Sequence, residues 1–475
     1  MKPSSLCGKL VLDSILKDQD LLFMFNQLID FTGLRKIYLV GGAIRDVLLN
    51  HTPCDFDFAV YGSGIDFARK FSKKIKASFV LLSQEDDSAR IVISNKQPDN
   101  KQIIFDFNGL GNKSIDYDLQ RRDFTINALA IDLKHPNRII DNFSGLRHLK
   151  QKKIVLTSNL SLTNDPLRIL RAFRLALELN FSVDKKILSL AKMLNITGTA
   201  PERISYELLR IAECPKSFAY IKILYQTGLM NQLFPLAKKL FADKDLFKHS
   251  LRTYKMLESI LHKKSFFNQF AQEFDAYLSA IPFRRALLKL AGLFHDVAKP
   301  HTQFETEEGD VHFYGHDNLG AKIVQRIAYE NLRLSRKQTG MLKTLVSYHM
   351  RLHLLATAPT LTDRAIRRFF RDLGEEYFGL MLLTYADGYA TARRTGHLEK
   401  TIIRMMNLKK ADESKRKIKR LVTGDDLIAL GYKPGPIFKT ILQELEDLQL
   451  EGKITNKQEG LEYVKEHFPK SNYQD

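Results

Sequence analysis

Asp55 and Asp57 stand two residues apart in the run from Asp55 to Val60, where acids alternate with Phe56 and Phe58. Residues spaced by two in a strand share a face, so both carboxylates project together as hard oxygen donors for a divalent cation. Paired carboxylates of this kind serve two-metal phosphoryl transfer, in which one ion activates a hydroxyl and the other neutralises a leaving pyrophosphate. Just upstream, Leu39 to Leu48 reads as the end of an apolar strand, a Gly41-Gly42 turn and a helix start carrying Arg45 and Asp46. The glycines would let backbone N–H groups approach phosphate oxygens. Asp106, set between Phe105 and Phe107 in another apolar run, is a candidate third carboxylate.

Further positions add phosphate and base chemistry. Arg121, Arg122 and Asp123 precede Phe124 to Leu133, in which Thr125 and Asn127 are polar groups among apolar neighbours. Buried polar groups need partners, and arginine forks suit phosphate oxygens, so the block reads either as ligand-facing or as a basic surface turn followed by a core strand. The segment from Thr163 to Phe181 predicts a helix capped by Thr163 or Asn164 with Pro166 in its first turn. Asp165 and Arg168 then share a face as a helix ion pair. Arg171 and Arg174 continue the basic side while Leu170, Phe173 and Leu177 face the core.

A second constellation lies further on: His249, His295 with Asp296, His316, His349 and Asp387. Imidazoles and carboxylates on successive helices are the materials of a metal phosphohydrolase, with a divalent transition metal as its cofactor. The alternative is a set of core histidines in an RNA-binding body. Lysine and arginine crowd residues 395–421, including Lys409, Lys410, Lys415, Arg416, Lys417, Lys419 and Arg420. The turn from Gly431 to Pro436 carries Lys433. Lys415, Arg416 and Lys433 are RNA-backbone candidates.

These residues must be positioned by elements the pattern also predicts. Residues 1–30 read as helical with an apolar face packing on the sheet that follows, and residues 37–132 as one small mixed sheet. Phe79 to Leu82, Ala89 to Ser94 and Gln102 to Asn108 are expected strands, and Asn108 to Leu119 a short polar loop. From about residue 136 the chain reads as helical, giving an α+β protein: a head over 1–135, a neck over 136–225, a body over 226–395 and a basic tail over 396–475. A chain of 475 residues has room for several cores. Its net charge of +19 calls for a polyanionic partner, with nucleic acid the economical choice. Three scattered cysteines form neither a disulfide framework nor a zinc spacing, and no leader or long apolar run is seen. A secreted disulfide scaffold and a helical membrane protein are excluded; a cytoplasmic enzyme with no obligate protein partner is expected.

The Gly41-Gly42 turn, Asp55-x-Asp57 and the Arg121 to Leu133 block together resemble the bacterial-type (class II) tRNA nucleotidyltransferase and poly(A) polymerase family. The resemblance implies that Gly41, Gly42, Arg45 and Arg122 hold triphosphate, and that Asp55 and Asp57 bind Mg²⁺ with help from Asp106. It assigns sugar and triphosphate contacts to Asp123 and Asn127, with Asp123 near the metals. Asp165 and Arg168 would read the base edge in place of a template, with CTP and ATP as substrates and tRNA as acceptor. Asn164 stands where the family usually has Glu. Pro201, Glu202, Arg203 and Glu207 match the family's neck motif, the histidine series resembles the HD superfamily, and the segment after Gly424 resembles the C-terminal module of CCA-adding members. Full CCA builders carry a longer loop where this chain has residues 108–119, which brings a CC-adding specialist into view. The alternatives are a poly(A) polymerase and an HD phosphohydrolase with a nucleotide-sensing head.

Overall fold

Six strands form the sheet that carries the first site: β1 (Ile37–Val40), β2 (Asp55–Tyr61), β3 (Ser78–Ser83), β4 (Ser88–Ser94), β5 (Gln102–Gly111) and β6 (Ala130–Asp132). In this computed structural model, which describes residues 8–53, 55–94, 102–415 and 420–469, their order is β3-β4-β5-β2-β1-β6. Only β2 and β5 run parallel; the other pairs are antiparallel. Along β2 burial alternates, with Phe56 and Phe58 in the core and Asp55 and Asp57 on the other face.

The reason is an aromatic core. Phe25, on the helix Gln19–Thr32, meets Phe56, Phe58 and Phe105 at ring-centroid distances of 5.5, 5.6 and 5.7 Å. Slipping β2 by one residue would bury both carboxylates and expose both phenylalanines, so this packing fixes the direction of the acids. The helix packs on the sheet as the sequence pattern implied. Asp18 caps its N-terminus by accepting from the Asp20 and Leu21 amides at 3.0 and 3.2 Å.

Two local expectations need correction. Residues 108–119 are not a loop: β5 runs through to Gly111 and a helix spans Ile115–Arg121. Hydrophobic Leu110, Ile115 and Leu119 bury against Val40 and Ala128 and draw the segment into regular structure. The helix expected from Pro166 starts at Arg168, and Thr163 and Asn164 end a preceding short helix, Leu160–Asn164. Asp165 lies between the two in extended conformation and accepts from the Leu167 amide at 3.3 Å.

The chain divides into two compact units, residues 1–235 and 236–475. In the first, the sheet is followed by helices of which Arg168–Leu179 and Pro201–Glu213 matter most here. The second is helical apart from a two-stranded hairpin over Phe304–Glu305 and Val311–His312. Its last helices are tied in by charge: Arg364, Arg367 and Arg371 on the helix Asp363–Leu373 reach Glu444, Glu451 and Asp447 at 2.8, 3.4 and 3.4 Å. The basic run is also less free than its composition suggests. Lys409 pairs with Glu413, Lys410 with Glu273 and Arg420 with Glu446. Residues 416–419, with Arg416, Lys417 and Lys419, lie outside the described residues; Lys415 ends the helix Gly396–Lys415 and Lys433 is exposed. No described helix is long and apolar enough to cross a membrane.

Candidate active site and a second metal-ligand cluster

Strand register brings the first site together. Asp57 is the direct partner of Asp106 across the parallel β2–β5 pair and of Val40 across β1, immediately before the Gly41-Gly42 turn. Gly41 takes φ +81°, and a methyl group built on it would lie 2.7 Å from Arg122 Nη1 and 3.1 Å from Asp57 Oδ2. Only glycine fits between this guanidinium and this carboxylate. Burial pushes the Asp57 carboxyl above the usual carboxylate range; Arg122 opposes that, while Asp106 and Asp55 push it further up. Such a carboxylate is short of positive charge.

The neighbouring groups are already engaged. Arg90 forks onto Asp106 at 2.7 and 2.8 Å, a partner that the sequence did not suggest although one strand places it directly opposite. Arg45 donates to Asn127 Oδ1 at 2.6 Å and pairs with Asp46 at 2.7 Å, and its guanidinium covers Gly42. Arg122 is held by Asp118 at 2.8 Å. The Asp123 carboxylate accepts from the Phe124 amide at 2.7 Å and Asn127 Nδ2 at 3.0 Å and pairs with Arg171 at 2.7 Å. Burial alone would raise the Asp123 carboxyl, but Arg171 and these two donors hold it below the usual range.

Beside the sheet, Asp165 and Arg168 line a cavity of about 340 Å³ together with Arg171, Arg203, Tyr206 and Glu207. They do not form the expected helix ion pair, because Asp165 is outside the helix. Asp165 meets Arg203 at 2.7 Å, and Arg168 bonds to Ser161 Oγ at 2.6 Å and to the Arg121 carbonyl at 3.0 Å. Arg174 leaves the basic face altogether. It is buried between Glu207 at 2.6 Å and Glu178 at 2.7 Å, joining the two neck helices.

The second unit gathers the histidine series into one place. His249 comes from the helix Lys244–Lys263, His295 and Asp296 follow Arg284–Phe294, His316 opens His316–Arg326, His349 follows Arg336–Ser347, and Asp387 lies in the buried helix Tyr377–Ala392. At Gly292 the first two helices touch so closely that a methyl group would meet Leu257 at 2.4 Å. Two ligand sets result, His249–His295–Asp296 and Asp296–His316–His349. Asp296 belongs to both: Oδ2 faces His295 and His249 at 3.3 and 3.7 Å, and Oδ1 faces His349 and His316 at 3.5 and 3.7 Å.

The donor chemistry fits cations. Nδ1 of His295, His316 and His349 lies 2.9, 2.6 and 2.7 Å from the carbonyls of Gly292, Phe313 and Val346, so each N–H donates outward and Nε2 turns a lone pair inward. Nε2 of His316 and of His349 then face each other at 3.1 Å, where two neutral rings in these tautomers would set lone pair against lone pair. Both Asp296 oxygens are buried without a hydrogen bond, although Lys299 Nζ stands 2.7 Å from one of them. A divalent ion in each ligand set would satisfy the inward Nε2 atoms and the Asp296 oxygen that Lys299 does not reach. Asp387 contacts His249 at 2.9 Å and is steadied by His353 at 2.8 Å. His353 and Lys299 are site residues that sequence reading missed; each lies three or four residues from a named ligand, one helical turn away. Among the described residues, sets this tight occur only here, and the head carboxylates are more open.

Comparison with known proteins finds relatives along both units. Residues 37–155 match the family model of the poly A polymerase head domain, residues 246–392 the HD domain and residues 377–464 tRNA nucleotidyltransferase domain 2. The chain is 28% identical over 439 residues to the CC-adding tRNA nucleotidyltransferase of Synechocystis sp., covering 90% of this chain and 92% of that one. It is 26% identical to the A-adding tRNA nucleotidyltransferase of Deinococcus radiodurans, covering 90% and 94%. The fold is similar to the Thermotoga maritima CCA-adding enzyme complexed with tRNA, with a TM-score of 0.65 and 21% identity over 96% of this chain and 97% of that one. With matches to the head, HD and second nucleotidyltransferase domain models in this order, the chain is similar over 90% of its length to tRNA nucleotidyltransferases.

Proposed function

We propose that this protein adds CMP, AMP or both from CTP and ATP to the 3′ end of tRNA without a nucleic-acid template. The observation that carries the reading is the in-register pair Asp57 and Asp106 beside Asp55, at the strand end that meets Gly41 and Arg122. The 3′-hydroxyl oxygen of the tRNA forms a bond to the α-phosphorus as the bond to pyrophosphate breaks. Asp55 and Asp57, with Asp106 beside them, would hold Mg²⁺, which lowers the hydroxyl pKa and neutralises the leaving group. Arg45 and Arg122 steady phosphate oxygens, and Asn127 and Arg171 hold Asp123 so that the arginine side of the site keeps its shape. Asp165 offers acceptors and Arg168 donors to a base edge. The full-length CC-adding and A-adding relatives favour partial addition over a general poly(A) activity. The enzyme works in the cytoplasm.

The direct test supplies tRNAs ending before C74, at C74 and at C75, with CTP and ATP separately and together, and sequences the product ends. Termination at CC, at A or at CCA names the activity. Untemplated runs of A on unrelated RNA would instead identify a poly(A) polymerase.

A second activity is favoured by the buried Asp296 carboxylate shared between two ligand sets and by the inward Nε2 atoms. The HD cluster would hold a divalent transition metal and hydrolyse a phosphoester. Its test is release of phosphate from phosphomonoesters and phosphodiesters by the metal-loaded protein, and loss of that release in Asp296→Asn.

A further inference from the structure

The cavity at Asp165 and Arg168 is walled mainly by charge, and its aromatic group is Tyr206. Tyr206 lies on the helix Pro201–Glu213, one turn after Arg203, and 53% of it is exposed, so core packing does not account for the ring. An exposed tyrosine ordinarily samples several rotamers. This one is held: its hydroxyl accepts a hydrogen bond from Arg210 Nη1, whose guanidinium carbon lies 5.3 Å from the ring centroid. Arg210 is pinned by Glu178 at 2.7 Å, Glu178 by Arg174 at 2.7 Å, and Arg174 by Glu207 at 2.6 Å. A relay of ion pairs thus runs from the buried neck to an exposed ring on the cavity wall.

We propose that the Tyr206 ring is the stacking platform for the nucleobase whose edge Asp165 and Arg168 read, an inference that rests on the nucleotide-transfer reading above. Hydrogen bonds to a base edge set its position in the plane but leave its tilt free. A π face removes that freedom whichever base is present. Stacking is tolerant of base identity because every base has such a face, and it grows with ring area, so a purine gains more from Tyr206 than a pyrimidine. Tyr206 is therefore a positioning group common to every nucleotide the enzyme accepts, whereas Asp165 and Arg168 discriminate.

The chain has no tryptophan, so Tyr206→Trp places a single indole fluorophore on the cavity wall. Titrating this variant with CTP and with ATP, without tRNA, is expected to quench its emission saturably. In transfer assays Tyr206→Ala should raise the nucleotide KM roughly ten-fold with kcat little changed and with the larger effect on any purine substrate. Tyr206→Phe should restore KM and Tyr206→Leu should not. Indole emission unmoved by millimolar nucleotide, an unaltered KM in Tyr206→Ala, or rescue by leucine as complete as by phenylalanine each overturns the proposal. If the wild-type protein transfers no nucleotide to tRNA, the functional reading fails, and the fluorescence titration decides on stacking by itself.

Discussion

The head and the body both collect carboxylates around buried positions, but they balance the charge in opposite ways. In the head, arginine forks take up Asp106, Asp118 and Asp123, which leaves Asp55 and Asp57 as the open acids at a strand end. In the body, imidazoles with outward N–H groups surround Asp296, and among the contacts described its cationic side-chain neighbour is a lysine, Lys299 at 2.7 Å from one oxygen, not an arginine fork. The histidines respond to these settings. Burial lowers His148 in the head, with Arg147 and Lys153 adding to the effect. Burial would also lower His295, but in the metal-free cluster Asp296 and Asp387 push it up to about 10, so its Nε2 gains a lone pair for a cation only on giving up that proton. The difference teaches how charge is balanced in each: the head pairs most of its acids with arginines and leaves Asp55 and Asp57 at the strand end, whereas the body gathers imidazoles and acids into two sets of cation-ligand chemistry.

The sharpest way to break this comparison is to remove one acid from each region. Asp57→Ala should lower nucleotide transfer by at least about 10³-fold while tRNA affinity, measured by filter binding, stays nearly unchanged. Asp296→Asn should do the reverse, leaving transfer intact while elemental analysis of the purified protein finds the bound transition metal gone. A large loss of tRNA binding in Asp57→Ala, or full metal content in Asp296→Asn, would erase the distinction.

The next effect is on stability. Arg174→Ala strips the buried Glu207 of its partner and is expected to cost about 3–5 kcal/mol in chemical denaturation; a loss below about 1 kcal/mol would mean that this buried pair does not hold the two helices together. Weaker again is His353→Ala, which removes the group orienting Asp387 and should reduce metal affinity about 10- to 100-fold, as read by competition with a chelator. The smallest effect concerns pH. His148 sits 2.8 Å from Thr125 Oγ1 and is depressed in the folded head. The unfolded chain takes up this proton near pH 6.5 and the folded chain only at lower pH, so its contribution is complete above about pH 6.5 and is lost as pH falls toward the folded value. His148→Gln should flatten the decline of head stability between pH 7.5 and 5.5.

Alternation of acid and phenylalanine from Asp55 to Phe58 was enough to set both carboxylates on one face, because strand side chains have a period of two and the aromatic face must be buried. The histidine and acid series was equally readable as a set, and the fold gathers it around Asp296. Partners were not readable. Arg90 and Asp106 lie 16 residues apart, Asp165 and Arg203 lie 38 apart, and Arg174 and Glu207 lie 33 apart. Helical spacing favoured Asp165 with Arg168, but Asp165 adopts an extended backbone and a neighbouring helix supplies the closer guanidinium. The segment after Asn108 looked like a loop because its turn formers are local signals, and it became strand and helix because Leu110, Ile115 and Leu119 found a core. Sequence by itself determined which residue types exist to do chemistry and which face each strand buries, for those follow from periodicity and apolar transfer. The tertiary structure alone decided which charge neutralises which, because electrostatic pairing depends on distance in space and desolvation, and neither is encoded by nearness along the chain.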